Sequence, residues 1–244
     1  MTKPAVVLIG ADKGGVGKTT VARTLLDYFA HHRVRARAFD TEVPRGTLKR
    51  FHPEAVFLNL ADPRGLDPMI QELEANRLVV VDCRAASTDL FLNFFASTDL
   101  TNLLAGLDTV LTLAMPVGSE LDSIEQFQRV ARELGNRCRY VIIRNPVQGD
   151  ALPLFDASKV RQQLRNEFGA REISLTRMQP WLVDGLNRTD LTPTVASRHE
   201  AFSILDRQRL ITWQRKLYEQ IDSAADVLLP NEQVPTKACA ARRA

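Results

Sequence analysis

The segment from Gly10 to Thr20, GADKGGVGKTT, carries the residues of this chain that are best suited to chemistry. Closely spaced glycines let a backbone turn its N–H groups inward around phosphate oxygens, which side chains at those positions would obstruct. Lys18 can then bridge the β- and γ-phosphates of a nucleotide, and Thr19 can offer its hydroxyl to Mg²⁺ at the start of a helix. The spacing therefore predicts a phosphate-binding loop.

The loop departs from the standard G-x-x-x-x-G-K-T pattern at one position. Asp12 stands where that pattern has its first glycine, so the match is to the variant K-G-G-x-G-K-T. An apolar run precedes the loop, and apolar residues at helical spacing follow it, whereas a turn with incidental lysines would not need this order. We expect the nucleotide cradle to comprise Gly14, Gly15, Val16, Gly17, Lys18, Thr19 and Thr20.

On these residues the sequence resembles the deviant-Walker-A ATPases of the ParA/MinD type, a class that includes the nitrogenase iron protein. The resemblance implies a P-loop ATPase fold, ATP and Mg²⁺ as cofactors, and a homodimer that forms with ATP. It also implies that Lys13 is the signature lysine, which reaches the phosphates of the partner subunit. A second cation supplied in this way couples dimerisation to nucleotide, because it neutralises charge that Lys18 alone does not.

Two acids end predicted strands, and ligands of doubly wound sheets bind beyond the carboxyl ends of the strands. Asp82 looks like a Walker B acid, and with Asp40 and Thr19 it forms the expected Mg²⁺ site; a solvated strand-end acid is the alternative for Asp82. The stretch FDTE at 39–42 resembles the D-x-D segment of the class, with Glu42 in place of the acid that positions the attacking water. The expected catalytic residues are Lys13, Lys18, Asp40 and Glu42. We expect hydrolysis to be slow, because the Glu42 side chain is one methylene longer than aspartate and in-line attack by water is sensitive to small displacements. A plain surface acid is the alternative for Glu42.

The base of the nucleotide has weaker candidates. Asn145, in VIIRNP, resembles an adenine-reading residue of the class, and a side-chain amide both donates to and accepts from an adenine edge. An asparagine before proline is also an ordinary turn residue, so both interpretations stay open. Met178 and Pro180, in MQPW, resemble the loop that closes over the base.

Short β-branched runs alternate with longer helical patterns along the chain, which predicts an α/β fold with a doubly wound, mostly parallel sheet and helices on both faces. The predicted strands are 5–10, 34–40, 78–82, 109–115, 139–145 and 171–175. The predicted helices are 18–31, 67–75, 89–105, 119–134, 156–168 and 200–227. We expect a single domain over 1–229 and a flexible tail over 230–244.

The last predicted helix is amphipathic, so we expect it to dock on the core by one face. Its apolar residues are Ile204, Leu205, Ile211, Leu217, Ile221 and Leu228. A membrane-surface helix would also be amphipathic, but the segment after it contains Pro230 and Pro235 and few large apolar residues. We therefore expect no stable membrane anchor.

Composition excludes several classes of protein. The 244 residues are 45% hydrophobic and 25% charged, as in a globular protein, and no apolar stretch approaches the ~20 residues that span a bilayer. The N-terminus has no signal-peptide pattern, so a cytoplasmic location is expected. Cys83, Cys138 and Cys239 are odd in number and form no C-x-x-C pair, which favours free thiols.

The charge balance permits binding to DNA without requiring it. Lys and Arg total 32 against 29 Asp and Glu, a net charge of +3. The candidates for non-specific contact with DNA, for which solvated helix faces are the alternative, are Arg129, Arg132, Arg137, Arg139, Arg161, Arg165, Arg207, Arg209, Arg215 and Lys216.

The leading functional hypothesis is a ParA-like ATPase that dimerises with ATP and acts in plasmid or DNA partition, positioning or conjugation-linked plasmid maintenance, with an adaptor or activating protein as partner. No extension precedes the loop, so no helix-turn-helix for sequence-specific repression is expected. One alternative is a MinD-like positioning ATPase, against which the expected lack of an amphipathic membrane-targeting helix at the C-terminus counts. The other is a metabolic enzyme on the same fold, a ligase or an iron–sulfur reductase, for which Cys83 after Asp82 would be a candidate ligand.

Overall fold

The structure is a computed structural model that describes residues 4–42, 46–74, 78–145, 149 and 151–229. Within these residues, parallel strands form one sheet in the order β3-β2-β4-β1-β5-β6-β7. The strands are β1 Ala5–Ile9, β2 Ala36–Asp40, β3 Val56–Phe57, β4 Leu78–Asp82, β5 Val110–Val117, β6 Arg139–Arg144 and β7 Arg171–Ser174. The predicted doubly wound parallel sheet is confirmed.

Helices cover both faces of the sheet. Those up to β6 are α1 Lys18–His31, α2 Thr47–Phe51, α3 Asp67–Glu74, α4 Thr88–Ser97, α5 Leu100–Gly106 and α6 Leu121–Leu134. Those after β6 are α7 Pro153–Asp156, α8 Lys159–Asn166, α9 Pro180–Thr189, α10 Pro193–Ala196, α11 Ile204–Asp222 and α12 Ala225–Leu228. A 3-10 turn, Gly135–Arg137, joins α6 to β6.

The central strands are buried on both faces, which explains their nearly continuous apolar sequences. In β1, Val6 and Leu8 pack into a core with α3 to α6 and α8, whereas Val7 and Ile9 pack into a second core with α1, α11 and α12. A third, smaller cluster joins α9, α10 and α11 through residues that include Leu186, Phe202 and Leu210. The two large cores hold the carboxyl ends of β1, β2 and β4 in register.

Several predicted boundaries were wrong for local reasons. The helix expected at 89–105 is two helices, because Asp99 adopts a left-handed conformation with φ of 47° and ends the first one. The edge strand β3 is only two residues long and was not predicted, and α2, α9 and α10 were not predicted either. Pro180 and Pro193 begin α9 and α10, positions at which proline's missing N–H is tolerated.

The last predicted helix docks by one face, with Leu210 in the third cluster and with Leu217 and Ile221 in the second core. Leu217 and Ile221 are fully buried, but Ile204, Leu205 and Ile211 are 77%, 65% and 47% exposed. The helix ends at Asp222, and α12 carries Leu228 back to the sheet. The expected docking by one face is therefore present, but the expectation was wrong for Ile204, Leu205 and Ile211.

Two of the cysteines are described, and both Cys83 and Cys138 are buried free thiols. Cys239 and the expected tail at 230–244 lie outside the described residues. Among the described residues, no helix combines the length and the apolar character needed to cross a membrane. That residues 1–229 form a single domain stays a prediction.

Candidate functional site

The glycine-rich loop joins the end of β1 to the first residue of α1, as the phosphate loop requires. Gly15 and Gly17 have φ of 75° and 99°, backbone conformations that residues with a side chain rarely adopt. A side chain at Gly17 would also collide with the amide of Asn145. Position 17 therefore needs glycine both for its backbone conformation and for the space beside Asn145. The loop runs directly into the N-terminus of α1, where backbone N–H groups favour an anion.

Lys18 is folded back onto the loop. Its Nζ donates to the carbonyl oxygen of Lys13 at 2.8 Å, and the residue is only 9% exposed. Burial lowers the pKa of the Lys18 ammonium, and the nearby carboxylate of Asp82 opposes that shift. An anion bound in the loop would therefore contact a largely desolvated ammonium group.

Asp12, the departure from the standard pattern, has a structural role. Its carboxylate accepts from the backbone N–H of Thr88 at 3.0 Å, and its own N–H donates to Oε1 of Gln126. The side chain of Gln126 also donates to Thr88, so α4, α6 and the loop are tied together. Glycine at this position would leave the start of α4 without that acceptor. Sequence reasoning missed Gln126 and Thr88, which no local motif marks.

Lys13 is partly exposed and forms an ion pair with Glu120, at the residue before α6. The pair lies on the open side of the loop, since the Glu120 side chain is 61% exposed. Leu121 beside it is 58% exposed. Sequence analysis did not single out Glu120, because an acid beyond β5 has no spacing relation to the loop.

The two strand-end acids are direct neighbours, since Asp40 and Asp82 occupy paired positions on β2 and β4. Both are buried, and within the described residues Oδ2 of Asp40 and Oδ1 of Asp82 have no hydrogen-bond partner. Burial raises the pKa of Asp82 to about 7, opposed by a hydrogen bond from Thr19, while repulsion from Asp40 adds to the rise. Burial likewise raises the pKa of Asp40.

Unpartnered carboxylate oxygens of this kind suit a bound cation. Carboxylate and hydroxyl oxygens are the donors that Mg²⁺ prefers beside phosphates, and Asp40, Asp82 and Thr19 supply them at the end of the phosphate loop. The residues present therefore fit Mg²⁺. Among the described residues no cluster of three or more His, Cys, Asp or Glu side chains could hold a metal, so this site would need oxygens from phosphate and water.

Glu42 lies directly beyond this pair. Its backbone N–H donates to Oδ1 of Asp40 at 2.9 Å, and its side chain is exposed. Thr41 anchors the segment, because its Oγ1 accepts from the backbone N–H of Arg84 and donates to the carbonyl oxygen of Asp82. The segment is thus held to β4, and the charge of the Glu42 carboxylate acts on both Asp82 and Lys18.

A cleft of about 290 Å³ runs along α1 beside the loop. Asn145, Met178 and Thr20 line it, and the Asn145 amide also donates to the carbonyl oxygen of Val16 at 3.1 Å. Asn145 thereby joins the phosphate loop to the cleft where a base would lie. Pro180 does not line this cleft and instead begins α9. Arg23, which also lines it, was missed because α1 was read only for its apolar face.

Asp82→Asn is expected to stabilise the nucleotide-free protein above pH 7. A folded-state pKa of about 7 against ~3.9 when unfolded means that the ionised carboxylate is disfavoured by folding. The destabilisation that ionised Asp82 contributes to the free energy of unfolding reaches its full value above pH 7. It disappears as the pH falls toward 4. We expect the melting temperature at pH 8 to rise by about 3 °C or more, since ~1 kcal/mol shifts it by roughly 2–4 °C in a chain of this size.

Thermal unfolding of Asp82→Asn and wild type at pH 8 and pH 5 measures this effect. Asp184→Asn, on the exposed face of α9, is the matched control and should change neither value. A melting temperature that falls equally at both pH values would show that ionised Asp82 is well compensated in the empty site.

Comparison with solved structures supports the fold. The chain matches MinD of Pyrococcus horikoshii OT3 complexed with Mg-ADP at a TM-score of 0.54 and 13% identity, covering 92% of this chain and 98% of that one. It matches the McdA(D38A)-ATP complex of Cyanothece at 0.51 and 13% identity, covering 91% and 97%. The chain has the MinD-type P-loop ATPase fold. The resemblance found in the loop residues is confirmed at the level of this fold.

The chain also has relatives in sequence. Two TraL proteins of Escherichia coli are each 26% identical to it, across 92% of this chain and 99% of theirs. No protein-family model matches the chain. The similarity to TraL thus extends over nearly the full length of both proteins and well beyond the loop.

Proposed function

We infer that this protein is a Mg²⁺-dependent ATPase that works as a nucleotide-controlled dimerising switch. The observation that carries the proposal is the meeting of three groups at one sheet edge. They are the glycine loop with buried Lys18, the Thr19 hydroxyl, and the paired acids Asp40 and Asp82 with their unpartnered oxygens. Equilibrium binding of ATP, measured once with Mg²⁺ and once with EDTA, tests this proposal. We expect binding to saturate at micromolar ATP only when Mg²⁺ is present.

Each residue contributes a definite step to nucleotide binding. The loop N–H groups and the Lys18 ammonium would hold the phosphates, and Lys18 would exchange its bond to Lys13 for a phosphate oxygen. Thr19, Asp82 and Asp40 would hold Mg²⁺, which neutralises phosphate charge and orients the terminal phosphate. Asn145 and Met178 would flank the base.

The open side of the loop supports dimerisation. Lys13, its ion-pair partner Glu120 and the exposed Leu121 lie together on that side, so a second subunit could cover an apolar side chain there. Lys13 would leave Glu120 to reach the phosphates of the partner subunit. An exposed ion pair is worth only ~0–1 kcal/mol, so that exchange has little to overcome.

Glu42 is proposed to orient the attacking water. Glu42→Ala should leave ATP binding and dimerisation intact and lower turnover by about 10–100-fold, the range for losing a positioned acid–base group. Phosphate release measured under saturating ATP and Mg²⁺ gives the rate. Wild-type turnover in Glu42→Ala would show that another group holds the water.

Two further variants sharpen that assignment. Glu42→Asp should hydrolyse ATP at least as fast as wild type if the backbone follows the D-x-D geometry of the class, and should lose activity if the backbone has shifted. Asp40→Ala should instead weaken Mg²⁺ and nucleotide binding, because its carboxylate lies deeper and also accepts the Glu42 N–H.

The biological role proposed for the switch is the positioning or partition of plasmid DNA during plasmid transfer or maintenance, together with an adaptor or activating protein. Similarity to TraL supports the link to plasmid transfer. The fold shared with MinD and McdA supports a positioning ATPase. A MinD-like role at a membrane has no supporting observation among the described residues.

An iron–sulfur reductase is disfavoured by the state of Cys83. The thiol is 3% exposed, and burial raises its pKa well above the ordinary value. Cluster ligands are thiolates, which this environment opposes. An absorption spectrum of anaerobically purified protein distinguishes the two functions, because only a cluster absorbs in the visible range.

DNA binding stays a prediction. Most of the candidate cations are bonded within the chain, to acids or carbonyl oxygens: Arg129, Arg132, Arg137, Arg139, Arg161, Arg165 and Arg209. We expect the ATP-bound dimer, with twice the basic surface, to bind duplex DNA without sequence preference and more weakly as salt rises. Fluorescence anisotropy at several salt concentrations measures this. Equal affinity without nucleotide, or no binding at low salt, would contradict it.

A further inference from the structure

Arg84 lies two residues beyond Asp82, on the same side of the sheet. Side chains along a strand alternate between the two faces of the sheet. In β4, Val80 packs into the core that contains α1, whereas Cys83 packs into the core on the opposite face. The chain is still paired with β1 at Cys83, whose N–H donates to the carbonyl oxygen of Ile9 at 3.1 Å. The alternation therefore places Arg84 with Asp82 on the side of α1 and the phosphate loop.

The backbone around Arg84 is held by two segments of the candidate nucleotide site. Its N–H donates to Oγ1 of Thr41 at 2.7 Å, and Thr41 directly precedes Glu42. Two residues after Arg84, the N–H of Ala86 donates to the carbonyl oxygen of Asp12 at 3.0 Å. The position of Arg84 is therefore set by the Glu42 segment on one side and by the phosphate loop on the other.

The Arg84 side chain is exposed and has no ion pair or hydrogen bond within the described part of the chain. Arg144 and Arg161, by comparison, both bond to Glu172. A guanidinium stays charged at neutral pH, and its planar fork of donors matches the oxygens of a phosphate group. A fixed backbone thus carries an unbonded phosphate-binding group at the edge of the site.

We propose that Arg84 is a further catalytic residue, which binds the terminal phosphate of ATP while that phosphate is transferred to water; this inference rests on the proposed function. In the reaction, the water oxygen bonds to the γ-phosphorus. The bond from that phosphorus to the bridging oxygen breaks, and its electron pair leaves with ADP, so that ATP⁴⁻ and water give ADP³⁻ and H₂PO₄⁻. Negative charge spreads over the peripheral oxygens of the transferred group, and the Arg84 guanidinium stabilises it.

The role of Arg84 differs from the roles of the two lysines. Lys18 is buried and bonded to the loop backbone at 2.8 Å, so it is placed to hold the phosphates before the reaction starts. Lys13 is proposed to act on the phosphates of the partner subunit. An interaction that strengthens only as the phosphate is transferred raises the rate without raising the affinity for bound nucleotide. We therefore expect Arg84 to affect turnover and to have little effect on ADP binding.

Arg84→Ala tests the proposal through turnover and through binding. Phosphate release under saturating ATP and Mg²⁺, without DNA, is expected to fall about 10-fold or more; a donor in a water-excluded site gives ~100-fold or more, but Arg84 is exposed. The affinity for ADP with aluminium fluoride, an analogue of the phosphate group in transfer, should fall by a similar factor. The affinity for ADP alone should stay within about threefold of wild type. Titration calorimetry with Mg²⁺ measures both affinities.

Two further variants complete the experiment. Arg84→Lys keeps the positive charge but loses the planar fork, so it should recover part of the lost turnover. Arg198→Ala is the matched control, because Arg198 is also exposed and has no ion pair within the described residues, and it lies beyond α10. It should hydrolyse ATP and bind the analogue like wild type. All three variants should melt close to wild type, since each changes an exposed side chain.

Wild-type turnover in Arg84→Ala would overturn the catalytic role, and so would an equal loss of affinity for ADP and for ADP with aluminium fluoride. An Arg84→Ala protein that stays monomeric with ATP while wild type dimerises would also overturn it, because the residue would then act in assembly. If the wild-type chain binds no ATP, the proposed function fails together with this inference. Calorimetry of the wild-type chain identifies that case separately.

Discussion

Lys18→Ala is expected to weaken ATP binding by at least about 30-fold. Lys18 is the buried cation of the phosphate loop, and its Nζ is already within hydrogen-bond distance of the loop backbone. Removing one partner of a buried, hydrogen-bonded charge pair costs ~2–5 kcal/mol, and each 1.4 kcal/mol is roughly tenfold in affinity. Titration calorimetry with ATP and Mg²⁺ measures the loss.

The control for Lys18→Ala is Lys49→Ala, an exposed lysine on α2 outside the cleft, which should bind ATP like wild type. Both variants should melt within a few degrees of wild type, because burial disfavours the charged form of Lys18 in the empty protein. Undiminished ATP binding by a folded Lys18→Ala variant would mean that the nucleotide, if bound at all, lies outside this loop.

Lys13→Ala is expected to separate binding from assembly. The variant should bind ATP within about threefold of wild type, because the Lys13 side chain points to Glu120 on the open side of the loop. It should remain monomeric with ATP, since a buried phosphate charge at the subunit interface would lack its cation. Light scattering coupled to size-exclusion chromatography measures the mass.

Glu120→Gln is the matched variant for this experiment. It releases Lys13 from its ion pair while keeping the lysine, so it should dimerise with ATP at least as readily as wild type. A Lys13→Ala protein that still dimerises with ATP would remove the role of Lys13 across the subunit interface. It would leave the account of ATP binding by Lys18 untouched.

The sheet and the position of the glycine-rich loop between β1 and α1 could be predicted because their signals are local. A continuous apolar strand, a glycine loop and an amphipathic helix follow one another between Ala5 and His31, and the order alone implies the geometry. The acids Asp40 and Asp82 were predictable for the same reason, since strand ends meet at one edge. These inferences need only neighbouring residues and the period of each element.

The remaining features depend on contacts between distant segments. Two sets of contacts show this. Lys13 forms its ion pair with Glu120, and Asp12 bonds to Thr88 and Gln126, which are 76 and 114 positions away. No spacing pattern in the sequence links these residues. The first half of α11 shows the opposite failure. Ile204 and Leu205 have the spacing of a buried face, but none of the described elements covers them, and they are 77% and 65% exposed. Periodicity predicts that a face is apolar and leaves open what covers it.

Sedimentation velocity of the wild-type chain tests the central claim most directly, with Mg²⁺ and either no nucleotide, ADP or ATP. We expect a monomer without nucleotide and with ADP, and a dimer with ATP that accumulates further in Glu42→Ala. The same sedimentation coefficient in all three states, in a protein shown to bind ATP, would contradict the claim that this site is a dimerising switch.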